Sequence, residues 1–318
     1  MTTAIEAKGL VRLFDDKAAV DGVDLAVAEG EIYGFLGPNG AGKSTCVRML
    51  TTLLVPTGGS ATVAGFDVVR EAGDVRLRIG LALQEAALDE KQTGRELLEL
   101  QGRLYGLKKS EITGRIAEIA NFIDLGEAFD TRLGTYSGGM KRRIDLAAAL
   151  MHNPEVLFLD EPTTGLDPLS RQKVWEEVRQ LNEGLGMTVF LTTQYLEEAD
   201  QLADRVGIIN QGKIVAEGSP DELKRTIGSD VIVARVRNPE RAAEALRPVE
   251  GVDSVDVSGG EVTVGTSDGA ALISPVAVAL AAADIDVENL ALRTPTLDDV
   301  FVSMTGERIA DAAVGEGS

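Results

Sequence analysis

The stretch GPNGAGKST at 37–45 limits what this chain can fold into more than any other. It fits G-x-x-x-x-G-K-[ST] through Gly37, Gly42, Lys43 and Ser44, between an apolar run, IYGFL, and a helix-like run, TCVRMLTTLL. Strand, glycine-rich turn and helix, in that order, make a cradle for phosphate. The segment from Gly37 through Pro38, Asn39, Gly40, Ala41 and Gly42 to Thr45 can turn its backbone amides inward around phosphate oxygens. The start of the helix adds a favourable dipole, Lys43 supplies a point charge, and Ser44 offers a hydroxyl to Mg²⁺.

Such a loop needs a second element to hold the metal, and VLFLDEP (156–162) supplies it as an apolar strand ending in Asp160-Glu161. Adjacent carboxylates repel unless a cation sits beside them. Asp160 is placed to bind Mg²⁺ through its water shell, and Glu161 to polarise a water aimed at a γ-phosphate. Cys46 is the only cysteine and His152 the only histidine. A disulfide framework and a Cys/His metal site within one chain are therefore excluded, and any metal is held mainly by oxygen.

Around these motifs the chain reads as two domains. Up to about residue 227, short Val/Ile/Leu-rich runs (32–37, 156–160, 188–192 and 205–210) alternate with amphipathic stretches, the pattern of an α/β domain with a mainly parallel sheet covered by helices. Residues 85–136 have helical spacing and few strand candidates, so they read as an inserted helical subdomain. From 228 the chain carries 16 acidic and 6 basic residues, half of the total charge of −20. Its order there, strand, helix, strand, strand, helix, strand over 228–306, is the βαββαβ order of a small α+β, ferredoxin-like domain, followed by a tail at 307–318.

The charge has the wrong sign for a nucleic-acid binder or for adsorption to anionic lipid. The triplet Lys141-Arg142-Arg143 reads as a solvated or capping helix face. No apolar run reaches the roughly 18 residues that a membrane-spanning helix requires, and the N-terminus has no signal-peptide block, so the expectation is a soluble cytosolic chain.

Five ordered motifs resemble those of ABC-type ATPases. YSGGMKRRIDLAAAL (136–150) is similar to that family's signature and stands just before the VLFLDEP strand, as it does there. By that resemblance Phe14 stacks on adenine, Gln84 links the metal and the attacking water to the helical subdomain, and Asp167 of TTGLDP reaches across a dimer. The resemblance implies a nucleotide-dependent head-to-tail homodimer. Two ATP molecules lie in it, each between the phosphate loop of one chain and Ser137, Gly138, Gly139 and Met140 of the other. Serine and glycines opening a helix also suit an anion on physical grounds.

The resemblance further implies a histidine at the end of the strand TVFLTT, yet this chain has Gln194. A glutamine amide offers two N–H donors and an acceptor but cannot take a proton at neutral pH, so it can position a water and Glu161 must be the base. TTQYLEEADQLADRVGIINQGKIVAEG, TGRELLELQGRLYGL and PTLDDVFVSMTG resemble the daunorubicin and doxorubicin resistance branch, which carries glutamine at this position. The implied protein is an ATP-hydrolysing exporter subunit at the cytoplasmic face of the cell membrane, paired with a separate permease, with helices of 85–136 docking on it. An importer subunit and a catalytically silent regulator are the alternatives. Cys46, His152 and Trp175 read as structural.

Overall fold

The structure is a computed structural model and describes residues 2–83, 88–123, 126–228, 230–258 and 260–305. In chain order, β1 (Thr3–Phe14) and β2 (Lys17–Ala28) form a hairpin, and β3 (Ile32–Leu36) leads through the phosphate loop into α1 (Lys43–Leu50). Next come β4 (Gly58–Val63), β5 (Phe66–Asp67), α2 (Ala72–Arg78) and β6 (Ile79–Ala82). The stretch expected to be helical, 85–136, holds α3 (Gly94–Leu104), α4 (Lys109–Ile119) and two short 3₁₀ turns, and α5 (Gly138–Ala149) comes just after it. β7 (Val156–Asp160), α6 (Pro168–Leu185), β8 (Thr188–Thr193), α7 (Leu196–Leu202), β9 (Arg205–Asn210), β10 (Lys213–Gly218) and α8 (Pro220–Ile227) follow.

Two compact units are present, Met1–Pro220 and Asp221–Gly306. The boundary expected at 227 lies at the far end of α8, whose residues after Pro220 group with the second unit.

The first unit is built on a six-stranded sheet ordered β10-β9-β3-β8-β7-β6, parallel except for the β10–β9 pair. Every residue of β3, β7 and β8 is buried. That is the reason these strands read as unbroken apolar runs: both faces of a parallel sheet are covered. Edge strand β10 alternates instead, KIVAEG with one face exposed.

The unit also carries a four-stranded antiparallel sheet, β2-β1-β4-β5, which the apolar runs of the sequence do not distinguish from the parallel one. Register shifts interrupt the β1–β2 ladder at several places, so its apolar residues do not keep a clean period of two.

Phe190 centres the core between the strands. Its ring centroid lies 5.5 Å from those of Tyr33, Phe35 and Phe158. A separate cluster around Leu98, Ile112, Ile119, Ile144 and Leu150 packs α3, α4 and α5 together. Thr93 caps α3, taking the Glu96 amide on its hydroxyl while Glu96 returns to the Thr93 amide.

In the second unit, β11 (Asp230–Val236), α9 (Pro239–Leu246), β12 (Ser254–Ser258), β13 (Glu261–Thr266), α10 (Gly269–Ala282) and β14 (Val287–Arg293) precede α11 (Leu297–Thr305). The sheet order β12-β13-β11-β14, antiparallel throughout, is the ferredoxin-like arrangement expected from the element order. Ile232, Ala234 and Val236 face Leu246, Leu272, Val276 and Leu280 of the two helices.

Among the described residues no helix is long and apolar enough to cross a membrane.

Replacing Phe190 with alanine empties the centre of this aromatic group and is expected to cost about 3–5 kcal/mol. Urea unfolding of the full chain checks this, and a loss below about 1 kcal/mol would contradict the packing described.

Candidate functional site

Register brings the site together. In the parallel ladder Leu36 pairs with Thr193, and Asp160 pairs with Thr192, so β3, β8 and β7 end side by side. Ligands of open parallel sheets bind beyond these carboxyl ends. The Gly37 amide donates to the Thr193 carbonyl (3.2 Å), which ties the start of the phosphate loop to the end of β8.

The loop itself depends on two glycines. Gly42 sits in the left-handed region (φ 107°), and a Cβ there would lie 2.4 Å from the Ala19 carbonyl oxygen. At Gly37 a Cβ would lie 2.4 Å from the Ile209 carbonyl oxygen. Between them Pro38, Asn39, Gly40 and Ala41 close the turn, with the Ala41 amide on the Pro38 carbonyl at 3.3 Å. Ser44 and Thr45 open α1 behind Lys43.

Lys43 is 5% exposed. Its Nζ donates to the carbonyls of Gly37 (2.8 Å) and Pro38 (2.9 Å) and lies 3.2 Å from Glu161 Oε1. Burial holds the ammonium below the ordinary lysine value, and the Glu161 carboxylate pulls it back up. The Lys43 charge is thus paired inside the site rather than spread into water.

Asp160 ends β7 with its Oδ1 accepting from Ser44 Oγ (3.1 Å) and Thr192 Oγ1 (2.5 Å). The Glu161 amide donates to both the carbonyl and the hydroxyl oxygen of Thr192, each at 3.1 Å. Thr164 Oγ1 donates to Glu161 Oε2 (3.2 Å). Glu161 also takes φ 48°, a left-handed backbone that costs energy for a residue with a side chain and is typical of functional turns.

Gln194 follows Thr193 at the end of β8, half-buried, and its side chain makes no hydrogen bond among the described residues. Gln84 lies outside the described residues. Phe14 closes β1, 46% exposed, with the Arg12 guanidinium 4.7 Å from its ring centroid.

Ser137 caps α5, accepting from the Met140 amide (3.2 Å), and Gly138 lies exposed beside it. Gly139 is buried against Ser170, and Met140 packs on the helical core. Asp167 caps α6 and accepts from the Ser170 amide (3.0 Å) and hydroxyl (2.6 Å), which hold its carboxyl below the usual range. A cavity of about 230 Å³ connects Gly138 and Lys141 with Glu161 and Thr164.

Three side chains gained importance only from the structure. Thr192, which holds both carboxylate residues, was one of two consecutive threonines in an apolar strand, and only the register shows that it faces Asp160. Glu198 is fully buried and accepts from Thr163 Oγ1 (2.9 Å) and the Trp175 indole (3.0 Å), so Trp175 is a donor as well as a packing residue. The basic triplet is not one solvated face: Lys141 reaches Glu90 (2.9 Å), while Arg142 is turned inward at 9% exposure. Successive helical residues point about 100° apart, so three neighbours cannot share one face.

Cys46 is packed in the core, where burial pushes its thiol up to about 12. His152 Nε2 donates to the Ile79 carbonyl oxygen (2.9 Å), and the ring stacks on Tyr105. Both have the structural roles expected for them.

The donor set fits a hard divalent cation. Ser44 Oγ and Asp160 Oδ1 converge beside the phosphate cradle, and so few protein ligands suit Mg²⁺, which keeps waters and phosphate oxygens in its shell.

Comparison with known proteins shows the family. A sequence model described as ABC transporter matches residues 20–164, and one described as ATP-binding protein DrrA1-3-like, C-terminal domain, matches residues 218–305. The chain is 51% identical to daunorubicin resistance ATP-binding protein DrrA3 of Streptomyces coeruleorubidus, over 98% of this chain and 99% of that one. It is 45% identical to daunorubicin/doxorubicin resistance ATP-binding protein DrrA of Streptomyces peucetius, covering 100% and 97%. Among solved structures, a dimeric post-hydrolysis state of the ATP-binding cassette MJ0796 bound to ADP and Pi superposes with a TM-score of 0.61. It is 26% identical and covers 68% of this chain and 98% of that one. The chain therefore belongs to the ATP-binding subunits of ABC transporters, in the branch of the daunorubicin and doxorubicin resistance ATP-binding proteins.

Proposed function

We propose that this chain binds and hydrolyses ATP as the subunit that powers an exporter of drug-like or lipid-like molecules, two copies working with a separate membrane permease. The observation that carries the reading is the contact of Lys43 with Glu161 (3.2 Å) beside the Ser44–Asp160 pair (3.1 Å). Phosphate-loop cation, metal donors and base converge at the ends of two strands. The names of the relatives favour efflux over uptake.

In this reading Lys43 exchanges its backbone carbonyls for phosphate oxygens when nucleotide arrives, and Glu161 is freed to face the attacking water. Ser44 and Asp160 would hold Mg²⁺, which would supply charge neutralisation to the phosphate oxygens. Glu161 accepts the water's proton, with Thr164 and Thr192 fixing the carboxylate and its backbone. Gln194 donates an amide N–H to the phosphate or the water and takes no proton. Phe14 stacks on the adenine. Ser137, Gly138, Gly139 and Asp167 act on the nucleotide of a second copy, and Gln84 reports to the helical subdomain.

The permease would dock on the side where α2, α3 and the end of α1 expose apolar residues. Leu77, Leu100 and Leu104 are all more than 40% exposed, and Leu53 and Tyr105 line a cavity of about 300 Å³ there. The chain itself would then sit peripherally at the cytoplasmic face of the membrane.

Mg²⁺-dependent ATP hydrolysis by the purified chain tests the reading. Glu161→Gln is expected to lower kcat by roughly 10²–10⁴-fold, the range of a general base. A Glu161→Gln chain that turns over like wild type would remove Glu161 from the role of base.

Gln194→Ala removes a donor and is expected to slow single-turnover hydrolysis, but less than Glu161→Gln does. Equal rates for Gln194→Ala and wild type would leave the glutamine without a part in the chemistry.

Thr192→Val keeps the shape of the strand while deleting the hydroxyl between Asp160 and the Glu161 amide. It is expected to cost about 1–3 kcal/mol of stability and to lower kcat more than it raises KM. Unchanged kcat in a chain that melts earlier would reduce Thr192 to a folding role.

A further inference from the structure

Arg142 has no place in the chemistry above, yet it is one of the most deeply buried cations of the first unit. It lies on α5, the helix that Ser137, Gly138 and Gly139 open. Its Nη1 donates to the Leu83 carbonyl at 2.6 Å and to Asp145 Oδ2 at 3.3 Å. Its Nη2 lies between the carbonyls of Ala82 (3.4 Å) and Asp160 (3.5 Å). One planar guanidinium thus meets the ends of two neighbouring strands, β6 just ahead of Gln84 and β7 at the residue that bears the metal-binding carboxylate.

We infer that Arg142, held by Asp145, is a positioning residue for hydrolysis that fixes the signature helix to the strand ends of its own nucleotide site. The inference rests on the functional reading above, because it assigns Arg142 a part in that same reaction. In the head-to-tail dimer α5 presents its first residues to the nucleotide of the other copy, while Asp160 and Glu161 serve the nucleotide of their own. Arg142 is the side chain that spans the two duties within one chain. A displacement of the helix is carried to the Ala82, Leu83 and Asp160 carbonyls through it, and no backbone hydrogen bond needs to break.

Burial of this charge is costly unless its donors are used, and four oxygens surround it. Asp145 supplies the countercharge from one turn further along α5. The other carboxylate oxygen of Asp145 has no hydrogen-bond partner among the described residues. Asp145 also lines the cavity of about 300 Å³ beside Leu53 and Tyr105, so the clamp is reachable from the surface proposed for the permease. Lysine cannot reproduce the arrangement, because a point charge on a flexible stem lacks the fixed fork that spans two strands.

Steady-state ATP hydrolysis by the full chain tests the inference, with thermal melting measured on every variant. Arg142→Met keeps the length and burial of the side chain and is expected to lower kcat by about 10- to 100-fold, with KM for ATP changed by less than about threefold, as misplacement of a reacting group does. Arg142→Lys is expected to recover part of the loss. Asp145→Ala is expected to lower kcat in the same direction, and the double variant to be no slower than Arg142→Met alone, since the two act as a unit.

A kcat for Arg142→Met within twofold of wild type, or a loss confined to KM, overturns the inference. If Arg142→Met fails to fold, Arg142→Lys and Asp145→Ala decide it by the same criteria. If the isolated wild-type chain does not turn over, ATP-driven dimerisation of Glu161→Gln, followed by light scattering, is read with and without Arg142→Met. A need for at least tenfold more ATP supports the inference, and equal dimerisation overturns it. A chain that neither hydrolyses ATP nor dimerises on it overturns the functional reading, and this inference with it.

Discussion

Everything at the site depends on holding two carboxylates next to each other at the end of a buried strand. Asp160 is 3% exposed and Glu161 7%, and neither has bulk water to spread its charge into. The chain resolves this with a cation and with dipoles. The Lys43 ammonium lies against Glu161, and the Ser44 and Thr192 hydroxyls both point at one oxygen of Asp160. Lys43 pays with a depressed affinity for its own proton, caused chiefly by burial. A phosphate chain with its metal would replace these internal partners with stronger ones of the same kinds, anion for Lys43 and cation for Asp160. Under the proposed function the carboxylates and the lysine would already stand beside one another before a ligand arrives, which would limit the reorganisation left for the moment of reaction.

The backbone is shaped to the same end. β3, β7 and β8 are buried on both faces, and their ladders align Leu36 with Thr193 and Asp160 with Thr192. With the strands locked in register by the aromatic group around Phe190, the phosphate loop and the acidic pair can only emerge side by side. The strain taken up at Glu161, with φ 48°, is tolerable because both ends of the turn are anchored, its amide on Thr192 and its carboxylate on Lys43 and Thr164.

Much of this was legible in the residues. The phosphate loop carries its own context of strand and helix, and the acidic pair closes an apolar run, so both could be placed without coordinates. The ferredoxin-like order of the second unit followed from its strand and helix spacing. What stayed hidden depends on register or on helical phase. Thr192 looks like any threonine in a strand until its ladder partner is known. Arg142 looks like its neighbours Lys141 and Arg143, because three consecutive basic residues have one composition but three directions. The antiparallel sheet of β1, β2, β4 and β5 was obscured by bulges that spoil the alternation a half-buried strand should show.

Lys43, now paired with Glu161, and the adjoining Asp160 are proposed to be the groups that receive the nucleotide. A structure of the full chain with Mg²⁺ and a non-hydrolysable ATP analogue tests it most directly. In that structure Lys43 Nζ is expected to have left Glu161 and the Gly37 and Pro38 carbonyls for phosphate oxygens, with Asp160 and Ser44 on the metal and Ser137 of a second copy facing the same nucleotide. Nucleotide bound elsewhere, with Lys43 still on Glu161 and the loop carbonyls, would contradict it.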